Sequence, residues 1–152
     1  MNQLMKAVLA ALVLAGCNLP PAATAPDFTS AAGVGFWLGP DSNWKPEQIQ
    51  EEEDWFVAGL AGTDYSGSKI LKALARARVY VTQDPIPCQS GLCNGIENEN
   101  LLEVRNMACV HGSALNHEEA HWLQLQVHGF TDYNHTETAL WQVADSHPRP
   151  CP

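Results

Sequence analysis

The sequence predicts one small domain of the α+β class, in which helices pack on a short sheet. Several segments show apolar residues at helical spacing together with capping signals, and two shorter runs are rich in β-branched and aromatic residues. A chain of 152 residues, 45% of them hydrophobic, is long enough to bury one core. The sequence has no internal repeat, so one domain is expected.

The first predicted helix covers residues 46–62, "PEQIQEEEDWFVAGLAG". Pro46 suits the first helical turn, and the acidic residues after it are favoured there by the helix dipole. The acidic run Glu51–Asp54 is expected to form a solvated face. A second and shorter helix is predicted over residues 68–77.

Two strands are predicted further along the chain. The run "RVYVT" at 78–82 is β-branched and aromatic, and it stops before the proline-containing stretch "QDPIP". The run "LLEVRNMACV" at 101–110 alternates around Leu102 and Val104. We expect these two runs to form the sheet.

The longest predicted helix begins after Ser113, a suitable N-cap, and ends at Gly129, a residue type that favours the left-handed position after a helix. A final helix is expected after Thr136, over "ETALWQVAD". The prolines of the tail "SHPRPCP" exclude a helix there.

The N-terminal segment has the layout of a secretory signal. Lys6 precedes an apolar run over residues 7–15, which is shorter than the roughly 20 residues that a bilayer-spanning helix needs. The letters "LAGC" that end at Cys17 resemble the lipobox of bacterial lipoproteins. An ordinary signal peptide, cleaved near Ala22 or Ala25, is the alternative.

The lipobox resemblance implies a signal peptide over residues 1–16 and a membrane anchor through lipid on Cys17. Asn18 after the cysteine implies an exported lipoprotein sorted to the outer membrane. Residues 17–35 are rich in proline and alanine without periodicity, so a flexible spacer is expected there. The folded domain is expected over residues 36–152.

The charge balance excludes one class of partner. The formal net charge is −9, and the eight lysines and arginines form no cluster. Because a nucleic-acid partner requires a basic surface, we exclude nucleic acid.

Cysteine usage agrees with export to an oxidising compartment, since four cysteines remain besides Cys17. We expect the disulfides Cys88–Cys93, around the tight loop "QSGL", and Cys109–Cys151; the other two pairings stay open. The spacing of these cysteines does not resemble that of a zinc ribbon.

The stretch "ALNHEEAHWL" at 114–123 indicates a metal site on the long helix. His117 and His121 are four residues apart and share one helical face, so both imidazoles can reach one metal ion. Glu118 lies beside them, where it can take a proton from a water molecule on the metal. Glu119 is assigned no chemistry.

A third ligand must come from outside this pair. His128 lies seven residues after His121, about 10 Å along the helix axis, which is too far for one ion. The chain can turn back at Gly129, and the loop that follows carries Asp132 and His135. We predict His135 as the third ligand and Asp132 as an acceptor that orients an imidazole, with Asp132 as the alternative ligand.

These residues resemble the H-E-x-x-H motif of zincin-type zinc metallopeptidases over roughly residues 113–141. The resemblance implies a zincin-like fold with a short sheet packed on the active-site helix, a Zn²⁺ cofactor, and hydrolysis of a peptide or protein substrate with Glu118 as the base. Gly129-Phe130-Thr131-Asp132 is similar in part to the G-x-x-D stretch of the aspzincins, in which the aspartate is a ligand.

Two other functions remain open from the sequence. One is a non-catalytic lipoprotein with a structural or sequestering metal site, and the other is a disulfide-stapled binding domain without metal. Tyr133 could donate a hydrogen bond to an oxyanion, although a packing role is favoured. His111 and His147 are expected to bond a loop carbonyl and to be exposed, respectively.

Overall fold

The structure is a computed structural model, and it describes residues 24–89, 91–98, 101–105 and 113–146. The α+β class is confirmed, because the described residues form four helices, a five-stranded sheet and a two-stranded sheet. Several expectations lie outside these residues. They are the signal peptide 1–16, the lipidated Cys17, the Cys109–Cys151 disulfide, His111 and His147.

The elements alternate irregularly along the chain. The helices are α1 (Pro46–Gly59), α2 (Ser68–Leu74), α3 (Ala114–His128) and α4 (Thr138–Asp145). The strands are β1 (Phe28–Thr29), β2 (Gly35–Leu38), β3 (Arg78–Thr82), β4 (Ile86–Cys88), β5 (Gly91–Cys93), β6 (Gly95–Asn98) and β7 (Leu101–Arg105).

The main sheet is mixed, with the strand order β1-β2-β3-β7-β6. The three central strands β2, β3 and β7 are parallel, and an antiparallel strand closes each side. Strands β4 and β5 form a separate antiparallel hairpin. Strand β6 therefore lies at an edge of the main sheet.

One face of the main sheet carries the core. Paired residues on neighbouring strands point to the same side, and the register aligns Phe36, Val79 and Leu102 across the three central strands. These side chains are fully buried, as are Val81 and Val104 one pleat further along. The opposite face carries the smaller buried cluster of Trp37, Tyr80 and Leu101.

Helix α3 crosses this core and determines where the candidate site lies. It contacts β6, β7 and the other three helices, and most of its residues are buried. The indole of Trp122 donates a hydrogen bond to the carbonyl of Ala73 in α2 at 3.0 Å. Within the described residues, none of the helices combines the length and the apolar composition needed to cross a membrane.

The fold begins earlier than residue 36. Phe28 in β1 pairs with Phe36 in β2, and the Trp37 indole donates to Thr24 at 3.1 Å. Val34 is fully buried. Residues 24–35 therefore belong to the fold and not to the expected spacer over residues 17–35. Strand β1 has only two residues, Phe28 and Thr29, so the sequence shows no alternation there.

The acidic run Glu51–Asp54 in α1, which we expected to form a solvated face, does so only in part, because Glu51 and Asp54 are exposed. Glu52 and Glu53 are buried, and Glu53 faces Glu119 of α3, which is also fully buried. Burial raises the pKa of Glu53 to about 7, and the neighbouring polar groups of Ser30 and Glu119 oppose this shift. The same burial, together with the charge of Glu53, raises the pKa of Glu119.

Candidate metal centre

Three histidines converge at the exposed end of the core. One nitrogen each of His117, His121 and His135 lies within 4.8 Å of the other two. The ring centroids are separated by 5.0 Å between His117 and His121 and by 4.8 Å between His117 and His135. Among the described residues, this is the one group of three such side chains with the spacing of a metal site.

The turn after α3 brings the third histidine back to the first two. Gly129 adopts a left-handed conformation with φ 77° and ends the helix, and its N–H donates to the carbonyl of Leu125 at 2.9 Å. His135 also has a positive φ of 56°, a conformation that is unfavourable for residues other than glycine. The loop thus holds His135 in a strained backbone, as often occurs at functional sites.

Asp132 organises this loop and is not one of the converging ligands. Its Oδ2 accepts hydrogen bonds from the Thr136 hydroxyl at 2.7 Å and from the Glu137 N–H at 3.3 Å. Its Oδ1 accepts from the Asn134 N–H at 3.1 Å. The Thr136 hydroxyl bond is the largest cause of its lowered pKa. Asp132 therefore orients the loop backbone, rather than an imidazole as the sequence had suggested.

A buried side chain of α3 anchors the same loop. The Oε1 of Gln124 accepts the Asp132 N–H at 3.1 Å, and its amide nitrogen donates to Glu137 Oε2 at 2.7 Å. The Tyr65 hydroxyl donates to the same carboxylate oxygen. The loop that carries His135 is thereby fixed to α3 at both of its ends.

Asp145, at the end of α4, orients the first histidine. The Nδ1–H of His117 donates to Oδ1 of Asp145 at 3.0 Å, since a carboxylate can only accept. This bond leaves Nε2 of His117 as the lone-pair nitrogen, and such a carboxylate–imidazole pair is common behind metal-ligating histidines. Sequence reasoning missed Asp145, because nothing near it in the chain marks it as part of the site.

Trp141 forms the base of the histidine cluster. Its ring stacks on His135 with centroids 3.9 Å apart and an interplanar angle of 27°, and it lies 4.7 Å from His121 and 5.1 Å from His117. In the structure its ring restricts the movement of all three imidazoles.

The electrostatics of the cluster favour the neutral form of two of its imidazoles, those of His121 and His135. Burial, followed by the neighbouring His117 and His135, lowers the pKa of His121 to about 3. The pKa of His135 is lowered by the same two kinds of cause, burial first. No described residue bonds the buried Nδ1 of His121. Neutral nitrogens of this kind are what a zinc ion requires, so the residues present fit that ion.

Glu118 lies against the edge strand of the sheet. A Cβ atom on Gly95 of β6 would lie only 2.5 Å from Oε1 of Glu118, so any larger residue at this strand position would displace the Glu118 side chain. The Glu118 side chain is directed between β6 and α3 and is 6% exposed. Burial and then the charge of Glu97 raise its pKa to about 8.

A groove of about 640 Å³ opens beside Glu118 and His121. Its walls are β6, the β4–β5 hairpin and Tyr133. The hairpin is closed by the Cys88–Cys93 disulfide, with Cα atoms 5.9 Å apart. A second depression of about 340 Å³ continues past His117 toward the start of α3. An extended ligand could therefore pass along β6 next to Glu118.

The remaining candidates lie at the periphery. His128 is outside the cluster, with Nε2 3.7 Å from Oε1 of Glu137 and its ring edge-on to Tyr65. Tyr133 is 74% exposed with its ring 5.5 Å from His121, so the packing role favoured by the sequence does not describe it.

Comparison of the chain with models of protein families, with curated proteins and with solved structures found no match. The zincin resemblance therefore stays a prediction from the H-E-x-x-H motif.

Proposed function

We propose that this protein is a zinc-dependent hydrolase that acts on peptide bonds. His117, His121 and His135 would hold the ion, and Glu118 would be the general base. The observation that carries the proposal is the convergence of three imidazole nitrogens within 4.8 Å beside a buried glutamate that opens into a groove. The H-E-x-x-H resemblance of His117, Glu118 and His121 supports it as well.

The arrangement favours catalysis over a purely structural metal site. Three protein ligands leave a fourth position for water or substrate, which is the pattern of catalytic zinc sites, whereas structural sites use four protein ligands. A structural site also has no use for Glu118, whose carboxylate is buried beside the histidine cluster and lines the groove. A bound zinc ion would supply Lewis acidity, which polarises a carbonyl and acidifies water.

The chain's own residues would carry out the proton transfers. Glu118 would accept a proton from the attacking water and deliver it to the leaving amine. Gly95 leaves the room that this carboxylate occupies. Asp145 would hold His117 in the tautomer with Nε2 free, and Trp141 would keep the imidazoles from rotating.

The cellular setting of this proposal comes from the sequence. The lipobox ending at Cys17 supports an exported bacterial lipoprotein, anchored by lipid at the outer membrane. A second candidate function is a lipoprotein that sequesters zinc without catalysis. It is favoured by the His117–Asp145 pair, because that bond strengthens metal binding whether or not hydrolysis occurs.

The test compares zinc content with hydrolysis in the full chain. Wild type is expected to bind one zinc ion and to cleave members of a peptide library. Glu118→Gln should keep the metal and lose cleavage, and His135→Ala should lose the metal. His128→Ala is the matched control, since it removes a nearby histidine outside the cluster and should keep both properties.

Several results would contradict the proposal. If wild type cannot be loaded with zinc, both metal-dependent functions are excluded. If Glu118→Gln and wild type are equally inactive but bind zinc tightly, sequestration replaces hydrolysis. If Asp132→Ala empties the site while His135→Ala does not, the third ligand is Asp132.

A further inference from the structure

We infer that Tyr133 selects peptide substrates that carry an aromatic side chain close to the bond that is cleaved. This role depends on the proposed hydrolase function and defines the substrate class of the same site. Three features of the molecule support it: the exposure of the Tyr133 ring, the turn that holds this ring beside His121, and the groove that the ring lines.

Tyr133 has the most exposed large hydrophobic side chain among the described residues, at 74%. Leu92 follows at 72%, and the other two exposed side chains of this kind are Phe130 and Leu71. A ring in water forgoes the stabilisation that burial would give it. Single exposed hydrophobic residues are common on protein surfaces, so the position of Tyr133 decides whether its exposure has a function.

A turn holds Tyr133 next to the histidine cluster. The N–H of His135 donates to the carbonyl of Asp132 at 3.1 Å, so Tyr133 and Asn134 are the central residues of a β-turn. The Asn134 N–H also donates to the Asp132 carboxylate at 3.1 Å. The ring centroid of Tyr133 lies 5.5 Å from that of His121. One turn therefore positions both the proposed third ligand and an exposed aromatic ring.

The two most exposed hydrophobic side chains lie along the path of an extended ligand. Tyr133 lines the groove of about 640 Å³ on the side of His121, and Leu92 lines the depression of about 340 Å³ on the side of His117. Glu118 lines both. Exposed hydrophobic groups on both sides of the proposed base are what a site for an extended peptide requires.

The groove at Tyr133 has room for a large apolar side chain. Besides polar residues, its other walls include Ile96 of β6 and the Cys88–Cys93 disulfide, which are apolar groups. A volume of about 640 Å³ lies within the range of sites that enclose small organic ligands. A substrate side chain placed there would contact the Tyr133 ring and these apolar groups together.

The geometry also limits which substrate residue reaches Tyr133. An extended peptide rises about 3.3 Å per residue, and the Tyr133 ring is 5.5 Å from the ring of a proposed zinc ligand. The side chain that meets Tyr133 therefore belongs to a residue within about two positions of the cleaved bond. A second aromatic ring stabilises such a contact beyond the area that it buries, which an aliphatic side chain does not do. We therefore commit to an aromatic side chain as the occupant.

The experiment measures binding without turnover. The zinc-loaded full chain with Glu118→Gln is titrated by calorimetry with peptides that carry phenylalanine, leucine or alanine at one position, and this position is moved along the peptide. At one position phenylalanine should bind about tenfold more tightly than alanine, and leucine should lie between them because it is buried without stacking. Adding Tyr133→Ala should remove the preference for phenylalanine over leucine.

Two further variants separate the ring from other causes. Tyr133→Phe keeps the ring and removes the hydroxyl, which could otherwise donate to an oxyanion, so it should keep the preference. Phe130→Ala is the matched control, because Phe130 is an exposed aromatic residue of the same loop whose ring stacks on His128, outside the cluster. This variant should keep the preference as well. In wild type the preference should appear in hydrolysis mainly through KM.

Each outcome has a distinct meaning. Cleavage by wild type with no aromatic preference at any position overturns the role of Tyr133 and leaves the hydrolase intact. An aromatic preference in binding that disappears with Tyr133→Ala, without any cleavage by wild type, supports the role of Tyr133 and refutes the hydrolase.

Three other results would overturn the inference. Equal binding of phenylalanine and leucine peptides at every position would mean that the groove does not select aromatic rings. Loss of the preference in Tyr133→Phe would assign the role to the hydroxyl. Failure of Tyr133→Ala to bind zinc would mean that Tyr133 supports the metal centre and does not select the substrate.

Discussion

The Nδ1 of His117 lies 3.0 Å from Oδ1 of Asp145, and this contact joins the last turn of α4 to the first turns of α3. Among the described residues, it is the one hydrogen bond between a histidine of the cluster and a carboxylate. Because it fixes the tautomer of His117, it links the position of the last helix to the chemistry of the candidate metal centre.

Loss of this contact should weaken metal binding more than folding. For Asp145→Asn we expect zinc affinity to fall by about 10- to 100-fold, since the amide orients the imidazole less well and supplies no charge. The side chain is partly exposed, so the free energy of unfolding of the zinc-free protein should change little. Competition with a chromophoric chelator measures the affinity.

Asp64→Asn is the control, because Asp64 is an exposed acid outside the site. This variant should bind zinc as wild type does. An equal zinc affinity of Asp64→Asn and Asp145→Asn would refute the role of Asp145.

Gly95→Ala should impair hydrolysis while leaving zinc in place. The added Cβ would meet Oε1 and Cγ of Glu118 at 2.5 Å, so the carboxylate must move away. We expect kcat to fall by about tenfold or more, because small displacements of a catalytic group have such effects. The control is Gly62→Ala, which meets no atom within 4 Å but has a positive φ of 84°. It should cost about 1 kcal/mol of stability and keep activity. Equal kcat in both variants would contradict this account.

The pair Glu53–Glu119 should make stability depend on pH. Glu53 has a pKa of about 7 in the folded state against 4.5 in the unfolded state, so the folded protein holds a proton that the unfolded chain releases. Its contribution is complete below pH 4.5 and is lost as pH rises toward 7.

Glu53→Gln should therefore gain stability relative to wild type as pH rises through this window, by at most about 1.4 kcal/mol per pH unit. His121 acts in the opposite direction, since its lowered pKa favours the folded state as pH rises toward 6.5, but it is present in both proteins. Urea unfolding of the zinc-free proteins from pH 4.5 to 7.5 measures the difference. A difference that does not change with pH would mean that the pair does not titrate in this range.

His135 should show a conflict between stability and function. Its φ of 56° suits glycine, so His135→Gly should unfold at higher denaturant concentration than His135→Ala, by about 1 kcal/mol in the zinc-free state. Both variants should lose zinc, because both lack the third imidazole. If His135→Ala is as stable as His135→Gly, the left-handed conformation carries no strain.

The sequence predicted the bounds of helices and strands best where β-branched runs or capping residues mark them. Strand β3 and helix α3 were predicted closely, because β-branched residues mark the first, and Ser113 and Gly129 bound the second. Helix α4 begins one residue later than expected, since Glu137 rather than Thr136 is its N-cap and Thr136 bonds to Asp132. Helix α1 ends at Gly59 and not at residue 62.

Other parts of the structure depart from what the residue types along the chain would predict. Strand β6 was missed because its core-facing positions are Gly95 and Glu97, where a strand pattern would have apolar residues. The burial of Glu53 and Glu119 was missed because charged residues normally face solvent. Asp145 and Trp141 join the site through tertiary contacts more than 20 residues away from His117, which a single sequence does not encode locally.

The contact of Trp141 with three imidazoles also gives the molecule an optical property. Indole emission is sensitive to the charge and rigidity of rings that stack on it, and Trp141 stacks on His135 at 3.9 Å. Protonating the imidazoles or occupying the cluster would therefore change the fluorescence of this residue without any added dye. Substituting Trp141 by phenylalanine would identify its share of the signal among the five tryptophans. The fluorescence of Trp141 would thus report whether the histidine cluster is occupied or protonated.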